Sequence, residues 1–266
     1  MTKPKNDNYD TVWKRDEHIS IVFQDVVFAF SMKISKITGA VLNFFFPNIC
    51  IICGVDTNEN NVSVCRKCLS EIEYIKPPYC QTCHQPLPDG GAHCWQCRKT
   101  KYHFERVIAV GKYKAVLRDL ILKFKEREFL KTTLGNLLLE ATVKNLDAEK
   151  IDMFVPVPLS KKREFKRGYN QSYFLAKFLS EKLNKIVIFQ NLVRIKNTKP
   201  QFELSKEERL DNLEGAFVVK EPSVFKEKNI VLVDDIATTC ATLEECAIQL
   251  KKAGAKQIYG AVLARD

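Results

Sequence analysis

Cysteine is the residue type whose spacing most clearly indicates chemistry in this chain. Eight of the ten cysteines form four C-x-x-C pairs, and the gaps between the pairs are 11, 11 and 10 residues. Two such pairs can place four thiolates around one Zn²⁺ at about 2.3 Å, so eight cysteines predict two zinc sites. Four-cysteine sites leave no position for water, which indicates structural zinc. The predicted ligands are Cys50, Cys53, Cys65, Cys68, Cys80, Cys83, Cys94 and Cys97.

The spacing leaves open which cysteine pairs share a metal. Sequential pairing, which we favour, would build two stacked zinc ribbons, whereas interleaved pairing would build a cross-brace. A disulfide framework is the alternative to zinc, and a reducing cytosol disfavours it. His84 and His93 flank two of the cysteines. We interpret both as loop residues because eight thiolates already fill two sites.

A pair of aspartates marks a second candidate site. In the segment IVLVDDIATTCAT, residues 230–242, an apolar strand runs into Asp234 and Asp235, and small and hydroxyl residues follow. Backbone N–H groups of such a loop, at the start of a helix, can bind a phosphate. Paired carboxylates can hold vicinal sugar hydroxyls or a hydrated Mg²⁺. The alternative is an ordinary strand–turn–helix in which Thr242 only caps the helix.

Basic residues follow an earlier strand. The segment FVPVPLSKKREFKRGYNQS, residues 154–172, places five basic residues within seven positions. Two of them, Arg163 and Arg167, have guanidinium groups that suit the oxygens of a pyrophosphate. Because this segment directly follows a strand, we expect a basic loop at the same sheet edge as Asp234. A solvated basic turn and a nucleic-acid patch are the alternatives.

The aspartate motif resembles the signature of type I phosphoribosyltransferases, which bind phosphoribosyl pyrophosphate (PRPP). The resemblance implies that Asp234 and Asp235 contact the ribose and that the following loop cradles the 5′-phosphate. It also implies that Arg163 and Arg167 hold the leaving pyrophosphate. The catalytic residues implied are therefore these two arginines and the two aspartates. The PRPP-binding residues implied are Asp234, Asp235, Ala237, Thr238, Thr239, Cys240, Ala241, Thr242, Pro158, Leu159, Ser160 and Lys123.

The order of these motifs is similar to that in the ComF family, phosphoribosyltransferase-like proteins associated with bacterial DNA uptake. The resemblance covers roughly residues 40–266. The family's R-G-[FY]-N-Q element falls on Arg167, Gly168, Asn170 and Gln171. A second element implies a mobile loop that closes over PRPP, and it falls on Arg194, Thr198, Gln201, Leu204, Arg209 and Asn212.

The resemblance implies a protein that binds PRPP with Mg²⁺ and acts in natural competence. The sequence names no acceptor, so phosphoribosyl transfer is one hypothesis. The alternative is a competence factor that binds single-stranded DNA and other DNA-uptake proteins, with a regulatory or inactive PRPP pocket. Tyr169, Tyr173 and Phe202 could then stack on bases, or else pack internally. A third hypothesis is a zinc-dependent interaction module with an inactive transferase fold.

Cys240 stands where the phosphoribosyltransferase loop usually has a glycine. A helix N-terminus stabilises anions, so a thiol at this position is expected to have a pKa below the ordinary value of about 8.5. Such a thiol would react readily, and bound PRPP would protect it. The alternative is a buried cysteine that serves as a small hydrophobic residue.

Strand and helix patterns alternate from about residue 104. The chain is therefore predicted to be α/β, with a type I phosphoribosyltransferase-like, mostly parallel sheet flanked by helices and preceded by a small zinc-ribbon domain. We predict a tail with an amphipathic helix over residues 1–40, the zinc-ribbon domain over 41–103 and the phosphoribosyltransferase-like domain over 104–266.

Several local features are predicted within these elements. The run RVIAVGKYK indicates a strand with a tight turn near Gly111. Apolar spacing predicts helices over residues 114–125, 129–145 and 171–183, and IDMFVPVPL predicts a buried strand. The last helix is predicted over residues 242–253, with a capping box between Thr242 and Glu245.

Composition and charge exclude some classes of protein. Hydrophobic residues make up 45% and charged residues 28% of the 266 positions, which excludes a fully disordered chain. The net charge is +10, and residues 101–266 carry +9 of it, so this part should attract phosphorylated metabolites or nucleic acid. Charged residues interrupt the apolar stretch 21–46, and the N-terminus is polar. We therefore expect neither a membrane span nor a signal peptide, and a cytoplasmic protein.

Overall fold

The computed structural model describes residues 49–57, 62–196 and 213–266. The predicted N-terminal tail lies outside these residues. So do five of the predicted mobile-loop residues, Thr198, Gln201, Leu204, Arg209 and Asn212, and the predicted stacking residue Phe202. Within the described part of the chain, each helix is too short or too polar to cross a bilayer.

A parallel sheet of five strands forms the centre of the protein. Its strand order is β1-β7-β6-β2-β3, and every neighbouring pair is parallel. A separate antiparallel hairpin consists of β4 and β5. The strands are β1 (Arg106–Lys112), β2 (Met153–Pro156), β3 (Ile186–Val187), β4 (Leu192–Arg194), β5 (Phe217–Val219), β6 (Asn229–Ala237) and β7 (Gln257–Arg265).

Helices cover the sheet and connect its strands. Among the helices of the described residues, two short ones belong to the cysteine-rich segment, and the other five follow strands or precede them. The α-helices are α1 (Arg66–Ser70), α2 (Trp95–Lys99), α3 (Ala115–Phe124), α4 (Lys131–Asn145), α5 (Lys161–Arg167), α6 (Gln171–Leu183) and α7 (Ala241–Lys252). Single 3₁₀ turns lie at Glu128–Leu130, Ala148–Lys150 and Pro222–Val224.

The central strands are buried on both faces, as their continuous apolar runs predict. Side chains alternate between the faces of a strand. In β6, Ile230 and Leu232 belong to one hydrophobic cluster, whereas Val231 and Val233 belong to the other. The first cluster contains α7 and the hairpin, and the second contains α3, α4 and α6. We call these the α7 face and the α6 face.

The cysteine-rich segment covers the outer edge of β1. The Thr82 carbonyl accepts a hydrogen bond from the backbone N–H of Val107 at 2.7 Å. Further along the strand, the Lys112 N–H donates to the Glu73 carbonyl at 2.9 Å. A Cβ atom on Gly111 would lie only 2.8 Å from the Glu73 carbonyl oxygen, so this close approach requires glycine. The predicted tight turn near Gly111 is wrong, because this residue pairs with Ala264 inside β1.

Two other local predictions need correction. The basic segment after β2 is not a loop, because residues 161–167 form α5. The capping box at Thr242 is also wrong, since α7 begins one residue earlier and Cys240 is its N-cap. Glu245 lies inside the helix, where its Oε1 accepts hydrogen bonds from the Gly215 N–H at 3.0 Å and Gln249 Nε2 at 3.1 Å.

Candidate functional site

The four C-x-x-C pairs form two separate clusters of four sulfur atoms. One consists of the cysteines at 50, 53, 65 and 68, and the other of those at 80, 83, 94 and 97. Within each cluster all ligand atoms lie within 4.8 Å of one another. The pairing is therefore sequential, as we favoured, and the cross-brace is wrong. His84 and His93, which we interpreted as loop residues, both lie outside the clusters.

The sulfur distances fit tetrahedral zinc. Four sulfurs at about 2.3 Å from a metal form a tetrahedron with edges of about 3.8 Å. The Cys50–Cys68 distance is 3.8 Å, and the Cys53–Cys65 distance is 3.7 Å. In the second cluster the Cys83–Cys94 distance is also 3.7 Å. These two clusters can hold structural zinc.

Backbone N–H groups in each cluster stabilise thiolates, the form that binds zinc. Burial alone would raise the pKa of Cys50, but hydrogen bonds from the backbone N–H groups of Cys53, Cys65 and Ile52 lower it to about 6. The same balance holds at Cys80, where the pKa falls to about 6 because backbone donors outweigh burial. In both clusters the backbone N–H donors therefore oppose the cost of burying a thiolate.

The first C-x-x-C pair of each cluster forms a knuckle, Cys50–Cys53 in one and Cys80–Cys83 in the other, and both knuckles make the same backbone turn. The Gly54 N–H donates to the Cys50 carbonyl at 2.8 Å, and the His84 N–H donates to the Cys80 carbonyl at 2.8 Å. Gly54 has φ 73° and His84 has φ 60°, so both occupy the left-handed region. The His84 ring stacks on Tyr79, and its Nδ1 lies 3.2 Å from the Val107 carbonyl. His84 is thus a buried loop residue that anchors the second knuckle to β1.

The clusters pack on opposite faces of the sheet. Cys50 and Cys68 belong to the hydrophobic core of the α6 face. Cys80 and Cys83 belong to the core of the α7 face. The cysteine-rich segment therefore passes across the β1 edge of the sheet, with the first cluster on the α6 face and the second on the α7 face.

The paired aspartates lie near the carboxyl end of β6, where both side chains are partly buried. Asp234 Oδ1 accepts hydrogen bonds from Ser172 Oγ and from the Asp235 N–H, each at 2.9 Å. Asp235 Oδ2 lies 3.4 Å from Lys125 Nζ. Burial, and then the charge of Asp235, raise the pKa of Asp234 to about 7, against these hydrogen bonds and the charge of Lys125.

Two arginines act electrostatically on the carboxylates. Burial lowers the pKa of Arg163, as does the charge of Arg167, whereas Asp235 and Asp234 act in the opposite direction. Burial also lowers the pKa of Arg194, with a further contribution from Arg163, and Asp234 again opposes the shift. These mutual effects place both arginines within electrostatic range of the aspartates, although they come from α5 and from β4.

The sequence element R-G-Y-N-Q has a clear structural role. Gly168 has φ 78° and ends α5 in the left-handed conformation that glycine favours. Asn170 is the N-cap of α6, and its Nδ2 donates to the Val157 carbonyl at 3.1 Å. Arg167 Nη1 donates to Gln171 Oε1 at 3.0 Å. The element therefore fixes the basic helix α5 and the start of α6 against the end of β2.

The predicted pyrophosphate loop and phosphate loop share one edge of the sheet. Residues 158–160 follow β2, residues 238–240 follow β6, and these parallel strands are neighbours. The Val157 N–H donates to the Val233 carbonyl at 2.9 Å, which extends the pairing toward both loops. Carboxyl ends of parallel strands are the usual place for ligands in open α/β sheets. The sheet thus brings the predicted loops together.

Cys240 is only 3% exposed, and it has φ 63°. This left-handed conformation explains why a glycine would suit the position. Burial raises the pKa of the Cys240 thiol to about 11, although the charge of Arg265 acts in the opposite direction. The expected low pKa is therefore wrong, and the burial fits the alternative of a small hydrophobic residue.

Sequence reasoning missed two side chains of the site. It selected Lys123, which stays a prediction, whereas the lysine whose Nζ lies 3.4 Å from Asp235 Oδ2 is Lys125, directly after α3. Residues two apart on a helix do not share a face, so helical periodicity distinguishes these lysines once one of them is placed. Ser172 was also missed, although it directly follows the R-G-Y-N-Q element. Only the packing of α6 against β6 shows that its hydroxyl reaches Asp234.

Comparisons with known proteins agree with this arrangement. A family model described as a double zinc ribbon domain matches residues 41–98. The Haemophilus influenzae protein named Competence protein F is 33% identical over 228 residues, which are 83% of this chain and 98% of that protein. The chain belongs to the ComF family. The Bacillus subtilis protein named Competence protein ComFC is 30% identical over 200 residues, which are 72% of this chain and 79% of that protein.

Another relative and two solved structures have lower sequence identity to this chain. The Escherichia coli K12 protein named DNA utilization protein YhgH is 29% identical over 80% of this ComF chain and 94% of its own length. Among solved structures, a Bacillus subtilis glutamine PRPP amidotransferase has 18% identity and a TM-score of 0.33, covering 49% of this chain and 25% of that one. A purine phosphoribosyltransferase from Pyrococcus horikoshii has 20% identity and a TM-score of 0.31, covering 53% of this chain and 75% of that one.

These TM-scores are low, so the architecture rests on the strand order and the family rather than on the superpositions. The parallel sheet flanked by helices and the double zinc ribbon confirm the predicted fold class. The family model and the cysteine clusters together support structural zinc.

Proposed function

We propose that this ComF protein binds PRPP together with Mg²⁺ and acts in DNA uptake. The observation that carries the proposal is the Asp234–Asp235 pair near the end of β6, with Lys125 Nζ at 3.4 Å and with Arg163 and Arg194 within electrostatic range. Two carboxylates beside several cations suit a ligand that combines sugar hydroxyls with phosphates. The names of the relatives, competence and DNA utilization proteins, support the role in DNA uptake.

Each part of the site has a separate task in this proposal. The aspartates accept hydrogen bonds from the ribose hydroxyls, and the loop after β6 surrounds the 5′-phosphate. Arg163 and Arg167 face the pyrophosphate, and Lys125 balances the charge of Asp235. Oxygen ligands from carboxylates, phosphates and water are those that Mg²⁺ prefers, so the donor set fits a metal carried by PRPP.

Titration calorimetry with PRPP and Mg²⁺ tests this proposal. We expect saturable heat from the wild type and at least about a tenfold weaker affinity, about 1.4 kcal/mol, from the variant with both Asp234→Ala and Asp235→Ala. The double variant should keep the fold because strand-end carboxylates contribute little to core packing. A pyrophosphate-release assay with candidate acceptors then separates a transferase from a binding protein. Equal affinity of both proteins would contradict the proposal.

A second candidate function, binding of single-stranded DNA, is favoured by one side chain. Phe165 on α5 is 93% exposed, and lysines 161, 162 and 166 on the same helix are also exposed. Aromatic rings among cations are typical of surfaces that stack bases and contact phosphates. By contrast, Tyr173 packs on Phe189 at 4.3 Å between ring centres, and the Tyr169 hydroxyl donates to the Phe124 carbonyl. The internal-packing alternative thus fits these two tyrosines.

Fluorescence anisotropy with a labelled oligonucleotide tests this candidate. We expect DNA binding that weakens as the salt concentration rises. The Phe165→Ala variant should bind more weakly than the wild type by roughly 1–3 kcal/mol, the contribution of one stacked base. Phe129→Ala is the matched control, since Phe129 is 48% exposed and lies outside α5. Repeating the titration with Mg²⁺ and PRPP shows whether the two ligands compete. Equal DNA affinity of both phenylalanine variants would exclude α5 as a stacking surface.

A further inference from the structure

Arg265, the last residue of β7, connects the second cysteine cluster with the loop that follows β6. Its side chain is buried, with 8% exposure. Nε donates to the Cys83 carbonyl at 3.0 Å, and Nη1 donates to the Ala237 carbonyl at 2.9 Å. Nη1 also contacts the Thr238 carbonyl. One planar guanidinium therefore holds a zinc knuckle on one side and the proposed phosphate loop on the other.

Packing connects the same two regions. Cys80 and Cys83 lie in one continuous hydrophobic core with Ala237, Cys240 and Ala241. Just beyond the second cluster, the His103 N–H donates to Glu244 Oε2 at 2.9 Å, and His103 Nδ1 lies 2.6 Å from Glu244 Oε1. Glu244 is in the first turn of α7, directly after the loop. Arg265 thus links the second cluster to the start of the loop, and His103, just beyond the cluster, contacts the helix turn that follows the loop.

The first cluster differs in this respect. Cys50 and Cys68 lie in the core of the α6 face, among residues of α3 and α4. The two clusters have the same chemistry, and within the described residues only the second shares a core with residues 237–241. This asymmetry provides an internal control for the role of the second site.

We propose that Arg265 is a positioning residue through which zinc at the second cluster fixes the geometry of the loop after β6. Zinc holds the Cys80–Cys83 knuckle, the knuckle carbonyl orients the guanidinium, and the guanidinium orients the carbonyls of residues 237 and 238. A rigid planar group transmits orientation between its two edges, which a flexible ammonium group does not. The part of this inference that concerns PRPP rests on the proposed function.

Coupling between two sites is reciprocal, so bound PRPP should retain the second zinc. Two variants separate the metals, since Cys65→Ser leaves only the second site intact and Cys94→Ser leaves only the first. Zinc transfer to the chromogenic chelator 4-(2-pyridylazo)resorcinol is followed with and without PRPP and Mg²⁺. We expect PRPP to slow release roughly fivefold or more from Cys65→Ser and to leave release from Cys94→Ser unchanged.

Arg265→Lys tests the residue itself because it keeps the charge and all eight cysteines. Combined with Cys65→Ser, it should abolish the effect of PRPP on zinc release. The matched control is Arg106→Lys, at the start of the adjacent strand β1, where Nη1 donates to the Asn145 carbonyl at 3.4 Å. An undiminished effect of PRPP in the Arg265→Lys background would overturn the proposal, as would equal slowing of both zinc ions.

Hydrogen exchange tests the coupling without PRPP. We expect the amides of residues 237–242 to exchange faster in Cys94→Ser and in Arg265→Lys than in Cys65→Ser and in the wild type. Equal protection in all four proteins would overturn the coupling. If calorimetry detects no PRPP binding to the wild type, the proposed function fails, and the exchange experiment still decides whether zinc and Arg265 position the loop.

Discussion

Ser172 Oγ donates a hydrogen bond to Asp234 Oδ1 at 2.9 Å, and this contact joins the start of α6 to the end of β6. Ser172 is itself held in place, because its backbone N–H donates to Asn170 Oδ1 at 2.9 Å. The capping residue of one helix therefore positions the group that orients a carboxylate on the central strand. This relay makes Ser172 part of the candidate site even though it carries no charge.

Ser172→Ala should weaken PRPP binding while it leaves the fold intact. Loss of the hydroxyl leaves a partly buried carboxylate oxygen with one donor fewer, which costs about 1–3 kcal/mol for a charged partner. The matched control is Ser180→Ala on the same helix, where Oγ donates only to the Lys177 carbonyl at 2.8 Å. Calorimetry and thermal unfolding of both variants make the comparison. Identical PRPP affinities would remove Ser172 from the site.

The raised pKa of Asp234 predicts a pH dependence. The carboxyl has an ordinary pKa of 3.8 and a folded pKa of about 7, raised by burial and by Asp235. The folded state therefore favours the protonated form, and this contribution to stability is fully present below pH 3.8 and is lost as the pH rises through about 7. Asp234→Asn should accordingly raise the melting temperature more at pH 8 than at pH 5.

PRPP affinity should show the opposite trend, because the ionised carboxylate is the better acceptor for ribose hydroxyls. We expect wild-type affinity to increase from pH 6 to pH 8. The phosphate groups of PRPP titrate in the same pH range. Because asparagine does not titrate, the pH profile of Asp234→Asn shows the contribution of the phosphates alone. A pH profile of equal slope in both proteins would show that Asp234 does not titrate on binding.

Lys125 and Lys123 provide a direct test of which lysine belongs to the site. Lys125 Nζ lies 3.4 Å from Asp235 Oδ2, and the two side chains are 22% and 18% exposed. Lys125→Ala should reduce PRPP affinity several-fold, since it removes a cation from a cluster that binds a multiply charged anion. Lys123→Ala should have the smaller effect. The reverse order in calorimetry would restore the original choice of Lys123.

Zinc content provides the fourth prediction. Purified protein should contain two zinc ions per chain, because two clusters of four thiolates are present. Cys65→Ser should release one of them and unfold its knuckle, since metal binding and folding are coupled in such small segments. Cys246→Ala is the control, because Cys246 is fully buried in α7 and lies outside both clusters. Metal analysis that finds no zinc in chelator-free protein would contradict the assignment.

Cys240 should resist alkylation in the folded protein. Its exposure is 3%, and burial raises its pKa to about 11, so little thiolate is present at neutral pH. Brief treatment with iodoacetamide, followed by mass spectrometry, should leave Cys240 unmodified with or without PRPP. Cys240→Gly should change the free energy of unfolding by less than about 1 kcal/mol, because relief of the left-handed backbone offsets the loss of a small buried side chain. Rapid labelling of native Cys240 would contradict the buried state.

The sequence by itself determined the local chemistry of this protein. The C-x-x-C spacing specified eight ligands for two metal sites but not their grouping, and apolar periodicity indicated the alternation of strands and helices from about residue 104. The run IVLVDDIATTCAT identified a strand end with two carboxylates, and apolar spacing predicted the helix over residues 171–183. These features are short-range, because spacing of a few residues fixes which side chains share a turn, a face or a knuckle.

Other features were decided only by the tertiary structure. The Ser172–Asp234 contact spans 62 positions, and the bond between Arg265 and the Cys83 carbonyl spans 182. The same holds for the contact between Lys125 and Asp235, the burial of Cys240 and the placement of the two cysteine clusters on opposite sheet faces. Local patterns carry no information on these contacts. The order and twist of the five strands decide which distant segments meet, because each segment must bury its apolar side against the sheet.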